Sequence, residues 1–219
     1  SDALAEFASR AGDRGESVVY VVQDDYVVGA IALSDVVRPE SRVAVDALRD
    51  MGVEVAMLTG DSRDVAKAVS SDLGIDTYFA EVLPADKDKH VKELQEGQRR
   101  VGMVGDGVND APALTRADIG IAIGSGTDVA VQSADLVLVK SNPIDVVKIL
   151  KLSSASYRKQ LQNVWWGAGY NIVMIPLAMG VLAPVGFVMP PALGAVFMSL
   201  STIIVAVNAQ LLRRVDLSV

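Results

Sequence analysis

The 219-residue chain carries 27 acidic and 20 basic side chains, a net charge of −7, with one histidine and no cysteine. So acidic a balance argues against a nucleic-acid-binding protein, and a lone histidine without cysteine cannot build a histidine/cysteine metal centre. The charge is unevenly placed: no Asp, Glu, Lys or Arg occurs over the 53 residues from Gln160 to Leu212, so residues 1–159 hold a net −8 and the tail, through Arg213, Arg214 and Asp216, +1.

In chain order, the valine-rich runs 17–22 and 26–33 read as paired strands meeting across Asp24 and Asp25. Apolar strands at 54–58, 77–82, 100–104, 119–123 and 136–139 then alternate with helical segments at 41–51, 63–73, 87–96, 111–116 and 128–133. Repeated βα units predict an α/β fold with a parallel sheet. Helical periodicity continues from 144 to 161. The uncharged stretch accommodates two spans of about 20 residues and a turn, placed at 161–182 and 191–212 around Ala183, Pro184, Val185 and Gly186. Arg158 and Lys159 precede the first span and Arg213 and Arg214 follow the second, which predicts that both ends face the cytoplasm. The alternative, a hairpin buried in a soluble protein, sits poorly with so long a run without charge.

The strand at 100–104 runs into Gly105, Asp106 and Gly107, which puts Asp106 at a strand's carboxyl end, the edge where open α/β sheets bind ligands. Asp106 and Asp110 are hard oxygen donors of the kind Mg²⁺ takes one or two of, beside water and phosphate. Asn109 is placed to cap the helix that follows. Taken singly these signals are weak. A Gly-Asp-Gly string also describes an ordinary turn with solvated carboxylates, and Lys87, within Asp86-Lys87-Asp88-Lys89-His90, reads alone as part of a solvated first helical turn. His90 reads as a solvated helix residue.

The longer string Gly105-Asp106-Gly107-Val108-Asn109-Asp110-Ala111-Pro112-Ala113-Leu114 resembles the hinge signature of P-type ATPases, within the haloacid-dehalogenase-like superfamily. Three further segments agree in order and spacing. Asp35, Arg38 and Pro39 resemble the family's Asp-x-x-Arg-Pro segment, Thr59-Gly60-Asp61 its Thr-Gly-Asp motif, and Leu83-Pro84-Ala85-Asp86-Lys87 the stretch carrying its lysine. The resemblance implies a partial, Rossmann-like, haloacid-dehalogenase-type parallel sheet followed by a two-helix transmembrane hairpin. It also implies Mg²⁺ and ATP as cofactors. Phosphoryl transfer asks the protein to position groups and stabilise charge. The implied roles are phosphoryl-oxygen binding by Thr59 and its neighbouring N–H groups, with Gly60 and Asp61 holding the phosphorylated site together. Lys87 would supply a point charge, and Asp106 and Asp110 would hold Mg²⁺.

The family forms its aspartyl-phosphate on an Asp-Lys-Thr-Gly motif, and that motif does not occur in these residues. The chain begins at Ser1 without an initiator methionine or signal peptide, so the expectation is a C-terminal fragment, inactive alone, with the nucleophile and first strand of the sheet upstream. Residues 1–30 would be the tail of the inserted nucleotide-binding domain, 31–143 the second half of the phosphorylation domain, 144–160 a helical stalk, 161–212 the two membrane helices and 213–219 a cytoplasmic tail.

In the spans, Asn163, Gly169-Tyr170-Asn171 and Pro176, then Pro191, Met198-Ser199-Leu200-Ser201-Thr202, Val205, Ala206, Asn208 and Ala209, resemble the last two helices of heavy-metal-transporting P-type ATPases. The spacing is closest to the copper branch, in the subgroup whose earlier helix carries Cys-Pro-His, and the Lys and Asp of the zinc, cadmium and lead branch are absent. Met198 offers a thioether suited to Cu(I) or Ag(I), and Met198, Ser201 and Thr202 stand at i, i+3 and i+4 on one helix face. Tyr170 lies seven residues beyond Asn163 on one face, with Asn171 turned about 100° away. Tyr170, Asn171, Met198, Ser201 and Thr202 are the expected cargo residues, although such residues also serve helix packing. Pro176 would loosen its helix and free a carbonyl, while Met174, Met179 and Met189 read as packing residues.

The expected whole is an ATP-driven exporter of copper (Cu⁺ or Cu²⁺, with Ag⁺ the related cargo). It would be a multi-pass protein of the plasma or inner membrane, with its catalytic part and both ends of this chain in the cytoplasm. Its partners would be copper, lipid and the upstream part of the same pump, with no nucleic acid. A noncatalytic membrane module is the alternative, and a soluble haloacid-dehalogenase-like phosphatase a further one.

Overall fold

A computed structural model describes residues 2–13, 16–33, 37–105, 108–124 and 132–219. Asp35, Asp106 and most of the helix expected at 128–133 fall outside the described residues. The chain divides into two units, residues 1–147 with Val219, and residues 148–218.

The first unit opens with α1 (Asp2–Asp13), which the sequence reading did not anticipate, and the antiparallel hairpin β1 (Ser17–Gln23) and β2 (Tyr26–Leu33). Asp24 and Asp25 both take positive φ, 47° and 67°, as a two-residue turn matched to the strand twist requires. Neither hairpin face is buried, since the consecutive residues Val19 and Tyr20 are 50% and 48% exposed.

Two parallel sheets follow. In the first, β3 (Ala56–Leu58) pairs with β4 (Thr77–Phe79), flanked by α2 (Pro39–Asp50) and α3 (Arg63–Leu73). Proline opens α2 where its missing N–H costs nothing. The Ser62 hydroxyl caps the start of α3, and Gly74, left-handed at φ 71°, closes it. Val45, Leu73 and Ile75 form the core here, with Val37, Val55, Met57 and Val69 packed on it. In the second sheet the order is β5 (Gly102–Gly105), β6 (Ile119–Ile123), β7 (Leu136–Leu138), with α4 (Lys87–Leu94) and α5 (Ala111–Arg116) alongside. Leu114 of α5 is 1% exposed, a burial worth about 1.5–3 kcal/mol. It approaches β6 so closely that a Cβ on Gly120 would meet its carbonyl oxygen at 2.6 Å.

Parallel βα architecture is as expected, but among the described residues the strands form two sheets, and 77–82 and 54–58 shorten to three residues each. The segment expected as helix 87–96 ends at Leu94 and tightens into a 3₁₀ turn, Glu96–Gln98. Asp118 fixes the corner before β6. Its carboxylate accepts from the Val101 backbone N–H, the Gln95 amide and the Arg100 guanidinium. These hydrogen bonds, the backbone one foremost, hold its pKa down at about 2. His90 is not simply solvated: its ring tilts against Phe79 with centroids 4.5 Å apart, and its Nδ1 lies 3.2 Å from Glu93 Oε2.

Helix α6 runs unbroken from Ile144 to Ala178, 35 residues, and its residues from Lys148 onward belong to the second unit. Asn142 Oδ1 accepts from the Ile144 N–H at its start. The helix passes through Pro176 and ends two residues later, four residues short of the expected span. A 3₁₀ turn (Ala183–Val185) closed by left-handed Gly186 leads to α7 (Pro191–Gln210), which a 3₁₀ turn extends to Arg214. Among the described residues one helix, Pro191–Arg214, is long and apolar enough to cross a membrane. The uncharged part of α6 falls short because Gln160, Gln162, Asn163 and Asn171 lie in it: absence of charge is not the same as apolarity.

Candidate active site

Three segments at carboxyl ends of the parallel strands carry the expected chemistry. Thr59-Gly60-Asp61 follows β3, Val108–Asp110 follows β5, and Lys87 opens α4 after the segment leaving β4. The turns Pro84–Asp86 and Val108–Asp110 pack on each other, which brings Lys87 to Asp110 although 23 positions separate them.

Lys87 Nζ donates to Asp110 Oδ1 at 2.6 Å, with side chains only 15% and 10% exposed. Lys87 is therefore not the solvated turn residue that its charged surroundings suggest. The pair is compensated charge in a poorly hydrated place, so removing either member would strand the other. Gly105 makes room for it: a Cβ there would lie 2.7 Å from both Cβ and Oδ2 of Asp110. Gly105 reads in the sequence as part of a Gly-Asp-Gly turn, but it ends β5 and its side-chain position is filled by Asp110. Asn109 is exposed and does not cap α5. Asp110 holds the N-cap position, without a side-chain cap bond because Lys87 engages its carboxylate. Asp106 and Gly107 lie outside the described residues.

The second cluster is local. Thr59 Oγ1 donates to Asp61 Oδ2 at 2.7 Å and accepts from the Asp61 N–H at 3.1 Å. The Thr59 N–H bonds Phe79 O at 3.0 Å. The Thr59 hydroxyl and the Thr59 and Asp61 N–H groups are thus engaged, while among the described residues the Gly60 N–H makes no hydrogen bond. Val82 N–H donates to Thr59 O at 3.0 Å, so the chain from Phe79 to Lys87 supports both clusters.

Among the described residues no three His, Cys, Asp or Glu side chains gather to enclose a metal. Mg²⁺ keeps several waters and takes one or two carboxylates. Asp110, a hard oxygen donor fixed by Lys87 at a strand's carboxyl end, fits one such ligand.

In the second unit the expected cargo residues make no polar contact with one another across the helices. Met198 is 67% exposed, Asn171 and Thr202 are exposed, and Tyr170 and Ser201 are half-buried. Thr202 Oγ1 donates back to Met198 O at 3.1 Å within α7. The polar bridge between α6 and α7 lies elsewhere. Asn208 Oδ1 accepts from Lys159 Nζ at 2.9 Å, and Asn208 Nδ2 donates to Asn163 Oδ1 at 2.8 Å and Gln162 Oε1 at 3.3 Å. These amides line a cleft of about 390 Å³ with Trp166, Ile203 and Val207. A polar residue recurring in both apolar spans was the available signal for the bridge.

A family model for haloacid dehalogenase-like hydrolases matches residues 2–118, and a second of the same description matches residues 87–150. The chain belongs to this hydrolase family. Its close relatives are copper-exporting P-type ATPases. The copper-exporting P-type ATPase B of Archaeoglobus fulgidus is 54% identical over 95% of this chain and 30% of its own length. The corresponding protein of Enterococcus hirae is 49% identical over 91% of this chain and 27% of its own. The chain thus spans less than a third of these relatives. A zinc-transporting PIB-type ATPase solved in its E2·Pi state superposes with a TM-score of 0.80 at 35% identity, over 97% of this chain and 34% of that one. The haloacid dehalogenase-like match is confined to residues 2–150, whereas the likeness to the solved pump extends over nearly the whole chain.

Proposed function

We propose that this chain is the C-terminal part of a copper-exporting P-type ATPase and holds the phosphoryl-binding half of its catalytic site. The buried Lys87–Asp110 pair, which follows one parallel strand as the Thr59 loop follows another, carries the reading. A structural salt bridge has no need of a place at a strand's carboxyl end, where open α/β sheets bind ligands. The upstream part would bring the first strand and an aspartate nucleophile, and residues 1–30 would complete the nucleotide-binding domain.

The chemistry then follows from the side chains. Asp110 holds the Lys87 ammonium, whose charge faces the transferring phosphoryl oxygens and the attacking carboxylate. An arriving phosphoryl oxygen would accept the hydrogen bond that the Thr59 hydroxyl gives Asp61 in this state, and the Gly60 N–H would add a second donor. Asp61 keeps the Thr59 loop closed. Magnesium bound by Asp106 and Asp110 would neutralise phosphoryl charge, and ATP would be the donor.

For the cargo, α6 and α7 are read as two membrane spans with both ends cytoplasmic and residues 144–160 as a stalk. The basic residues Arg158, Lys159, Arg213 and Arg214 support that orientation. Copper as substrate rests on the relatives and on Met198, whose soft sulfur favours Cu(I) over harder cations. Tyr170, Asn171, Ser201 and Thr202 would complete the pathway with upstream helices. The test is ATP hydrolysis by the complete pump in lipid vesicles, titrated separately with Cu(I) and Zn²⁺. Stimulation by Cu(I), with a hydroxylamine-sensitive phosphoprotein, is expected. Stimulation by Zn²⁺ alone would overturn the copper assignment, and hydrolysis without a phosphoprotein would overturn the pump.

A further inference from the structure

The β3–β4 ladder contains an irregularity at the point where it reaches the candidate site. Leu58 pairs with Phe79 in parallel register, and the Thr59 N–H continues the pattern by bonding Phe79 O. In a regular parallel ladder the next bond would run from the N–H of residue 81 to Thr59 O. It runs instead from Val82, at 3.0 Å, and the displaced Glu81 N–H reaches on to Asp61 O at 2.8 Å. One residue is inserted into the β4 side, which makes Glu81 the extra residue of a bulge. Its φ is +57°, the left-handed backbone that glycine adopts at no steric cost and other residues seldom do. The Glu81 side chain is exposed, and among the described residues it makes no hydrogen bond or ion pair. Its own contacts therefore do not explain the conformation.

The consequence falls on the neighbouring loop. Thr59 O is held by Val82 and Asp61 O by Glu81, so the loop is clamped on both sides of Gly60. Fixing the Asp61 backbone fixes the carboxylate that orients the Thr59 hydroxyl. Bulges beside sites commonly re-aim a side chain in this way. We propose that Glu81 is a positioning residue of the phosphoryl site, acting through its left-handed backbone rather than its carboxylate. The inference rests on the reading of the Thr59 loop as a phosphoryl-oxygen binder.

The experiment is phosphorylation of the complete pump by inorganic phosphate, reading apparent phosphate affinity for Glu81→Gly, Glu81→Gln, Glu81→Ala and Glu81→Val. Gly and Gln should stay within about twofold of the parent, Gly should bind phosphate at least as tightly as Ala, and Val, β-branched and ill-suited to positive φ, should weaken phosphate by roughly tenfold or more. If Val fails to fold, the order of Gly against Ala and Gln still decides. Loss of phosphate affinity in Gly and Gln alike would show that the carboxylate acts and overturn the proposal. A well-folded Val variant with parental affinity would overturn it too. Thr59→Ala separates the two levels: normal phosphate affinity there removes the loop from the site, whereas a defect there beside silent Glu81 variants removes only the role of Glu81.

Discussion

The α/β unit and the two-helix unit treat their polar residues in opposite ways. Lys87 and Asp110 are nearly buried and spent on each other, under a glycine that exists to admit them. Met198, Asn171 and Thr202 stand exposed, and the Thr202 hydroxyl bonds only its own helix. The first unit organises its site with backbone turns and one ion pair drawn from this chain. The second joins its two helices through the Asn208 bridge and leaves the expected cargo groups unassembled, as two helices of a larger bundle would.

The contrast predicts very different sensitivities. Lys87→Ala should produce the largest loss, destabilising the α/β unit by about 3 kcal/mol, because it leaves the Asp110 carboxylate buried without a partner. Denaturant unfolding followed in the first unit measures it, and a change under 0.5 kcal/mol would place the pair in water. Asn208→Leu should cost the helical unit less, about 1 kcal/mol, the scale of interhelical hydrogen bonds in membranes. Thermal unfolding in detergent reads this, with Met198→Ala as the comparison expected to change nothing measurable. Equal losses in the two variants would mean that Met198 packs and the contrast fails.

Asp118→Asn should act through pH. The folded carboxyl titrates near 2, below the value near 3.9 expected of an unfolded chain. Its stabilisation is therefore complete above about pH 4 and lost as pH falls through about 2. The variant should lack that decline, and parallel curves for both proteins over this window would remove Asp118 from the acid response.

What the sequence could show was local. Helix Arg63–Leu73 and helix Ala111–Arg116 agree with expectation to the residue. The first is bounded by Ser62 and Gly74, and the second by Pro112 near its start and the Asp118 corner after its end. Lys87 was recognisable by its motif, but its burial depends on Asp110, a contact between turns that no pattern around Lys87 encodes. The early end of β4 reflects the bulge at Glu81, a backbone event in a stretch whose side chains still read as strand. The first expected span is less apolar than the second because four amides, Gln160, Gln162, Asn163 and Asn171, count as uncharged yet remain polar. The Asp106 expectation stays with the sequence, outside the described residues.

The measurement closest to the central claim is phosphoenzyme formation from labelled ATP in the complete pump, comparing the parent with Lys87→Ala under saturating Cu(I). Loss of labelling rate by about 10²–10³-fold, the scale for removing one preorganised group from a developing charge, with copper binding retained, is the predicted result. Labelling at the parental rate and level would contradict the assignment of the Lys87–Asp110 pair to phosphoryl transfer and reduce it to a structural salt bridge.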